Sequence, residues 1–345
     1  MPRGLEQRLA ERPPRRAVIV QTAFLGDTVF TSALAAGLRA RFPGLELDLC
    51  VAPRGRDVAR AIEGVAEVIL FDKNGADRGP TGLWRASRRL LARRHDLAVV
   101  PHRSLRSGLL ARLAGIPERV GFEGTAAGVF CTVRARDEGL TFLDREAGLL
   151  RALGGGPGPM KLRASAEQAA LGDAALARLG LGGRRFAALC FGSEWETKIW
   201  PLERYAELAR ALHGRGLPPL LLGSPREVPL AEAIRAAASV PVASATGNSV
   251  GETLGILARA ALAVGGDSGL VHAARALGVP TVLLFGPTAP EAHVFEASSV
   301  ALTLRLECSP CSAHGQRRCP LGHHRCLRDL GVEKVLAAAA AVGLA

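Results

Sequence analysis

The chain has 345 residues, of which 48% are hydrophobic and 22% charged. That is a globular composition, long enough for two domains of about 150 residues each. The formal net charge is +12, yet aromatics make up only 4% and the arginines are scattered over helix-patterned stretches. This argues against a nucleic-acid partner, which normally meets clustered charge and stacking rings. A solvated surface accounts for much of the excess, and a phosphorylated substrate or an anionic membrane surface for the rest.

Of the 44 basic residues, four are lysines: Lys73, Lys161, Lys198 and Lys334. Arginine is the default cation here, so a lysine inside a motif points to a need for a compact ammonium. Residues 17–38 carry a single charge, Asp27, but Gln21, Thr22, Gly26, Thr28, Thr31 and Ser32 interrupt them. A membrane span needs about 20 predominantly apolar residues, so this stretch reads as strand, loop and helix. With no signal-peptide pattern, the protein is expected to be cytoplasmic, and its seven cysteines then argue against a disulfide framework.

Residues 1–15 read as a loose leader. Thereafter short β-rich runs alternate with helical patterns. Strands are expected at 17–20, 45–51, 67–71 and 97–100, with helices at 28–41, 54–62 and 83–94. The run Gly154-Gly155-Gly156-Pro157-Gly158-Pro159 is the linker candidate, followed by a helix at 166–179. The rhythm restarts with strands at 186–190, 219–222, 240–242, 261–264 and 281–285. Helices fall between them at 202–215, 228–238, 250–259 and 269–277. This is an α/β pattern of two Rossmann-like, doubly wound parallel-sheet domains. The expected domains are 16–165 and 183–330, with a C-terminal helix at 331–345 and a ligand cleft between the carboxyl ends of the two sheets.

Three segments carry chemistry. Gly26-Asp27 follows the first strand and lacks the G-x-G-x-x-G dinucleotide fingerprint. Asp27 has two readings, a cap on the following helix or a base for an attacking hydroxyl. The loop Phe191-Gly192-Ser193-Glu194-Trp195-Glu196-Thr197-Lys198-Ile199-Trp200-Pro201 follows the second domain's first strand. Its hydroxyls, lysine and aromatic pair suit a phosphorylated ligand, and an exposed loop anchored by Trp200 is the other reading. Gly266-Asp267-Ser268-Gly269-Leu270-Val271-His272 joins a strand to a helix, where N–H groups and the Ser268 hydroxyl can cradle a diphosphate. Phe285-Gly286-Pro287-Thr288 ends the next strand in a second polar turn.

Cys308, Cys311, Cys319 and Cys326 lie in a Gly/Pro-containing segment with His314, His323 and His324. Four thiols so spaced suit a structural zinc site or, less well, an iron–sulfur centre. Reduced thiols in a packed loop are the alternative.

In order and spacing these segments resemble the lipopolysaccharide heptosyltransferases of glycosyltransferase family 9, over residues 17 to 340, with the type II branch the more similar. The resemblance implies a GT-B fold with ADP-L-glycero-D-manno-heptose as donor. It also implies inversion at the anomeric carbon without a catalytic metal, and a phosphorylated lipid A–core acceptor at the inner face of the inner membrane. Asp27 would be the general base, and Lys198 would neutralise the leaving diphosphate. Ser193, Thr197, Asp267, Ser268, Gly269, Leu270, His272, Gly286 and Thr288 would line the donor site, with Glu227 at the nucleoside. Ile199 departs from the family pattern, where a basic residue often follows the lysine. His102, Arg103 and Arg106 are read as acceptor-phosphate contacts or as a solvated helix start. The competing functions are a GT-B transferase or epimerase using another nucleotide sugar, and a non-catalytic nucleotide-sugar-binding protein.

Overall fold

A computed structural model describes residues 8–9 and 11–343, and the chain divides into two compact units, Met1–Arg163 and Ala164–Ala345. The expected leader at 1–15 and the last two residues of the expected C-terminal helix fall partly outside the described residues.

The first unit is built on six parallel strands in the order β3-β2-β1-β4-β5-β6. These are β1 (Arg16–Gln21), β2 (Glu46–Val51), β3 (Val65–Leu70), β4 (Leu97–Val100), β5 (Glu118–Phe122) and β6 (Val133–Ala135). Strands β1 and β4 are apolar over nearly their whole length because both faces are covered, as a parallel sheet requires. The exception in β2 is Asp48, 1% exposed, which accepts from Arg93 Nε at 2.9 Å and pairs with His95 Nε2 at 2.9 Å. Helix α1 (Leu25–Arg41) begins three residues earlier than the pattern suggests, which places Asp27 inside its first turn. The expected helix at 54–62 is a 3-10 turn, Pro53–Gly55, followed by the short α2 (Arg56–Arg60). Helices α3 (Gly79–Arg93) and α4 (Leu105–Leu113) pack together, while α5 (Phe142–Arg151) lies on α1. The Phe30 and Phe142 rings stack there at 5.2 Å.

The glycine run at 154–159 is not a free linker. Gly158 donates to the Ala33 carbonyl at 3.1 Å, and a Cβ on Gly37 would stand 2.4 Å from the Gly156 oxygen. The segment is fastened along α1, and the division between units falls after Arg163.

The second unit repeats the plan in the order β12-β11-β10-β7-β8-β9. Its strands are β7 (Ala187–Cys190), β8 (Pro219–Leu222), β9 (Ala243–Ser244), β10 (Leu262–Gly266), β11 (Thr281–Leu284) and β12 (Ser299–Leu302). Its helices are α6 (Ala166–Arg178), α7 (Leu202–Gly214), α8 (Val228–Ala238), α9 (Val250–Leu257), α10 (Gly269–Ala276), α11 (Arg325–Arg328) and α12 (Val332–Ala341). The strand expected at 240–242 lies instead at Ala243–Ser244, paired with Leu220 and Leu221. Pro241 has no N–H to offer a ladder, so pairing starts beyond it. Trp200 is a core anchor rather than an aromatic wall for a ligand. It is fully buried, donates from Nε1 to the Leu330 carbonyl at 3.0 Å, and meets Tyr205 edge-on at 5.1 Å. Among the described residues, no helix is long and apolar enough to cross a membrane.

Candidate functional site

In each sheet the strand order reverses once, between β1 and β4 in the first unit and between β7 and β10 in the second. Loops leaving the carboxyl ends of such neighbours splay apart, and the gap is where doubly wound proteins bind ligands. The sequence motifs sit at these two points.

In the second unit, Asp267 is the centre of the arrangement. It follows β10, is 8% exposed, and uses both carboxylate oxygens. Oδ2 accepts from Lys198 Nζ at 2.6 Å and from the Thr288 hydroxyl at 2.8 Å, while Oδ1 meets His272 Nε2 at 2.8 Å. Arg275 Nη1, which can only donate, lies 3.2 Å from His272 Nδ1. The imidazole proton therefore sits on Nε2 and is given to Asp267. Burial alone would raise the Asp267 pKa, but the His272 bond and the Lys198 charge outweigh it and hold the carboxyl well below its usual range. His293 stacks on His272 at 4.7 Å, and its pKa is pushed down to about 3, chiefly by burial. Both imidazoles are thus neutral near pH 7, and the charge on Asp267 is met by the Lys198 ammonium, while the buried Arg275 guanidinium beyond His272 is paired with Glu296.

Around this pair the backbone comes close. A Cβ on Gly266 would stand 2.3 Å from the Lys198 carbonyl oxygen, so glycine is needed where β10 passes the lysine loop. Ser268 precedes α10 and its buried Oγ has no hydrogen-bond partner among the described residues. That hydroxyl and the first N–H groups of α10, from Gly269 and Leu270 onward, form an anion-receptive edge beside Lys198. Glu227 reaches the same edge from the turn after β8. Its Oε2 accepts from the Ser224 N–H at 2.6 Å, and a Cβ on Gly192 would collide with its carboxylate.

Two of the expected donor contacts have internal partners. The Ser193 hydroxyl accepts from the Trp195 N–H at 3.2 Å. Thr197 is buried and tied to Gln316, its hydroxyl donating to the Gln316 carbonyl and accepting from the Gln316 N–H, each at 2.8 Å. These bonds fasten the cysteine-bearing segment to the lysine loop. The segment also donates from the Cys311 and Ser312 N–H groups to Pro287 at 2.9 Å, and His324 Nε2 meets the Thr197 carbonyl at 2.8 Å. A Cβ on Gly286 would press on Leu327 and Cys326. The segment therefore braces both the Lys198 loop and the Phe285–Thr288 turn, a role its spacing does not reveal.

The four cysteines are free thiols. Burial raises Cys311, with Cys319 and Cys308 adding to it, and burial pushes Cys326 up to about 11. Cys319 is lowered despite its desolvation, because backbone N–H groups of the following turn, including Leu321 and Gly322, point at its sulfur. Among the described residues, the group of three metal-capable side chains whose ligand atoms all lie within 4.8 Å is Asp267, His272 and His293. Lys198 and Thr288 already occupy the other oxygen of that carboxylate, so the trio is a hydrogen-bond network around an ion pair.

At the first unit's reversal point, Asp27 is half-buried in the first turn of α1, and its Oδ2 accepts the Phe24 N–H at 3.0 Å. Its carboxylate thus caps the helix from inside rather than from the position before it. Thr22 follows β1 and shares His102 Nδ1 with the Ser107 hydroxyl, at 2.9 and 2.8 Å. Burial, with help from Lys73, pushes His102 down to about 4. Lys73 donates to the Thr22 carbonyl at 2.9 Å and is itself lowered by burial and by Arg106 and Arg54. A basic rim of Lys73, Arg54 and Arg106 therefore stands at the edge that carries Asp27. Arg103 is instead ion-paired with Asp137.

The sequence reading missed Glu146 on α5. It is 8% exposed, its Oε2 has no hydrogen-bond partner among the described residues, and its pKa is pushed up to about 8 by burial and then by the Asp27 charge. A carboxyl at i+4 from Phe142 and i−3 from Leu149, inside an apolar helical stripe, was the available signal.

Two tandem doubly wound parallel sheets with their functional loops at the reversal points define a GT-B glycosyltransferase fold. The family model of glycosyltransferase family 9 (heptosyltransferase) matches residues 83–321, and the chain belongs to that family. It is 27% identical to lipopolysaccharide heptosyltransferase 2 of Salmonella typhimurium, with 93% of this chain and 96% of that protein covered. Among solved structures, a family 9 glycosyl transferase from Veillonella parvula superposes with a TM-score of 0.85 at 23% identity, covering 95% of this chain and 97% of that one. The E. coli ADP-heptose lipopolysaccharide heptosyltransferase II superposes with a TM-score of 0.76 at 23% identity, covering 95% and 98%.

Proposed function

We propose that this glycosyltransferase moves L-glycero-D-manno-heptose from its ADP conjugate to a phosphorylated lipid A–linked core of lipopolysaccharide, with inversion and without a catalytic metal. The observation that carries the donor half is the Lys198–Asp267 pair at 2.6 Å beside the start of α10. The names of the Salmonella and E. coli relatives support the sugar and the acceptor.

In the proposed step an acceptor hydroxyl attacks the anomeric carbon and its proton passes to Asp27. The bond from that carbon to the diphosphate oxygen breaks, and the electron pair leaves with ADP. The Lys198 ammonium, the Ser268 hydroxyl and the N–H groups of Gly269 and Leu270 neutralise the charge that grows on the β-phosphate. Lys198 bonded to Asp267 has its nitrogen held in place before donor arrives, so little reorganisation is needed at the transition state. Glu227 is assigned to the nucleoside, and Gly286 and Thr288 to the wall of the donor pocket. On the acceptor side, Lys73, Arg54 and Arg106 meet phosphate, and the enzyme works peripherally on the cytoplasmic face of an anionic membrane.

The test is ADP release from ADP-heptose with defined core acceptors, run beside UDP- and GDP-sugars. Transfer confined to ADP-heptose, unchanged by chelator and giving the inverted anomer, is expected. Equal use of another nucleotide sugar, or retention at the anomeric carbon, would overturn the assignment.

Cys308, Cys311, Cys319 and Cys326 are assigned a structural metal, zinc before iron. The reading rests on the shared segment and on the turn of N–H groups that favours a thiolate at Cys319. Among the described residues no three of these sulfurs lie within 4.8 Å of one another, so an ion would have to draw them together. Such an ion would brace the segment that holds Thr197 and Pro287. Metal analysis of anaerobically purified protein should find about one ion per chain; fewer than about one per two chains removes the site.

A further inference from the structure

The first unit carries a surface that the reaction scheme leaves unused. Helices α3 and α4 lie side by side, and their buried stripes, including Ala86, Leu90, Leu110 and Ala111, join the core of the sheet. The opposite stripe of a water-facing helix is ordinarily polar. Here Trp84 is 60% exposed, Leu105 50% and Leu113 46%. The sequences of the two helices contain no Asp or Glu. Arg89 and Arg93 are committed to Asp77 and Asp48, but Arg85, Arg88 and Arg112 make no ion pair among the described residues. The Arg88 guanidinium stands 6.0 Å from the centre of the Trp84 ring. Leu105 and Arg106 precede Ser107, which bonds His102, so the face runs directly into the edge proposed for the acceptor.

We infer that the α3–α4 face docks on an anionic phospholipid bilayer. Tryptophan settles at headgroup level, leucines enter the acyl boundary, and arginines bind lipid phosphate. Protein interfaces also favour Trp and Arg at their centres, but two helices without an acidic residue and with arginines left unpaired would demand a strongly acidic partner face. A second copy meeting this face symmetrically would set arginine against arginine. A bilayer of negative lipid satisfies ring, leucines and cations together. The inference rests on the proposed lipid-linked acceptor for its purpose, and it is measured without that acceptor.

The experiment is sedimentation of the full chain with vesicles of phosphatidylcholine alone and with about one third phosphatidylglycerol, at two salt concentrations. Transfer to a delipidated, water-soluble core acceptor is assayed in parallel. Wild type should bind the anionic vesicles and lose most of that binding in high salt. Arg88→Glu should weaken binding by about twenty-five-fold, about five-fold for the cation lost and about five-fold for the anion added. Trp84→Ser should weaken it by about ten-fold, and both variants should keep soluble-acceptor transfer. Equal binding to neutral vesicles, or unchanged binding by both variants, overturns the docking face. So does a wild-type dimer that Trp84→Ser dissociates, because a second copy would then cover the patch. Absence of vesicle binding by wild type with its transfer intact refutes the docking face alone, whereas absent wild-type transfer with the expected vesicle pattern refutes the functional reading alone.

Discussion

The two reversal-point edges are built to opposite plans. In the second unit the charges are closed on themselves, with Asp267 accepting from Lys198, Thr288 and His272. In the first, Lys73, Arg54 and Arg106 make no ion pair among the described residues, and His102 is held neutral beneath them. A closed network fixes geometry before binding, which suits a donor whose diphosphate is always the same. An edge with unneutralised cations gains most when a polyanionic, polyhydroxylated molecule arrives, which suits an acceptor. The donor edge should therefore couple activity to stability, and the acceptor edge should separate them.

Asp27→Asn tests that separation most severely. Turnover should fall about 10³-fold, within the usual range for a general base, while ADP binding and melting temperature stay near wild type. Retained turnover in a calorimetrically normal variant would remove Asp27 as the base. Lys198→Ala should show the opposite behaviour by damaging both properties. Loss of the ammonium should lower kcat by about 10²-fold, and the buried Asp267 left without its cation should cost about 3 kcal/mol in chemical denaturation. A variant that loses activity at full stability would show that the pair is not a structural unit.

Glu146→Gln probes the acceptor edge through pH. The folded carboxyl titrates near 8 against an ordinary 4.5, so folding takes up a proton between those values. That contribution favours the folded state below about pH 4.5 and is lost progressively as pH rises toward 8. The glutamine variant should match wild type near pH 4.5 and exceed it by on the order of 3 kcal/mol at pH 7. Melting curves across pH 4.5 to 8 measure it, and a pH-independent difference would place Glu146 outside the buried site. The charges on neighbouring elements are engaged elsewhere: Arg145 on the Gly139 carbonyl, Arg41 on Leu153 and Arg119 on Phe130. Asp27 is the named charge acting on Glu146. The smallest effect belongs to Thr288→Val, which removes one bond to Asp267 and should cost about 1 kcal/mol with a modest rise in donor KM.

Much of the second edge was legible because its parts are contiguous. A strand, a glycine turn and a helix start follow one another within Gly265–Leu270, and local backbone geometry dictates that pattern. The rarity of lysine singled out Lys198. What sequence could not show was that Thr197 turns toward Gln316, that Trp200 belongs to the core, or that Asp27 lies inside its helix. Each depends on a partner 119 or 130 positions away or on where a helix nucleates. Residues 105–151 gave no assigned elements, and they contain α4, β5, β6 and α5.

By itself, then, the sequence determined the alternation of strands and helices, the two-unit plan and the local anion-receptive turns. These follow from hydrophobic periodicity and from backbone chemistry within a few residues. Tertiary structure decided which side chains have partners. It closed Asp267 on Lys198, brought Glu146 under the influence of Asp27, tied the cysteine segment to the lysine loop and left Trp84 facing outward. Burial and pairing set the protonation and the reach of those groups, and both are properties of residues distant in the chain and adjacent in space.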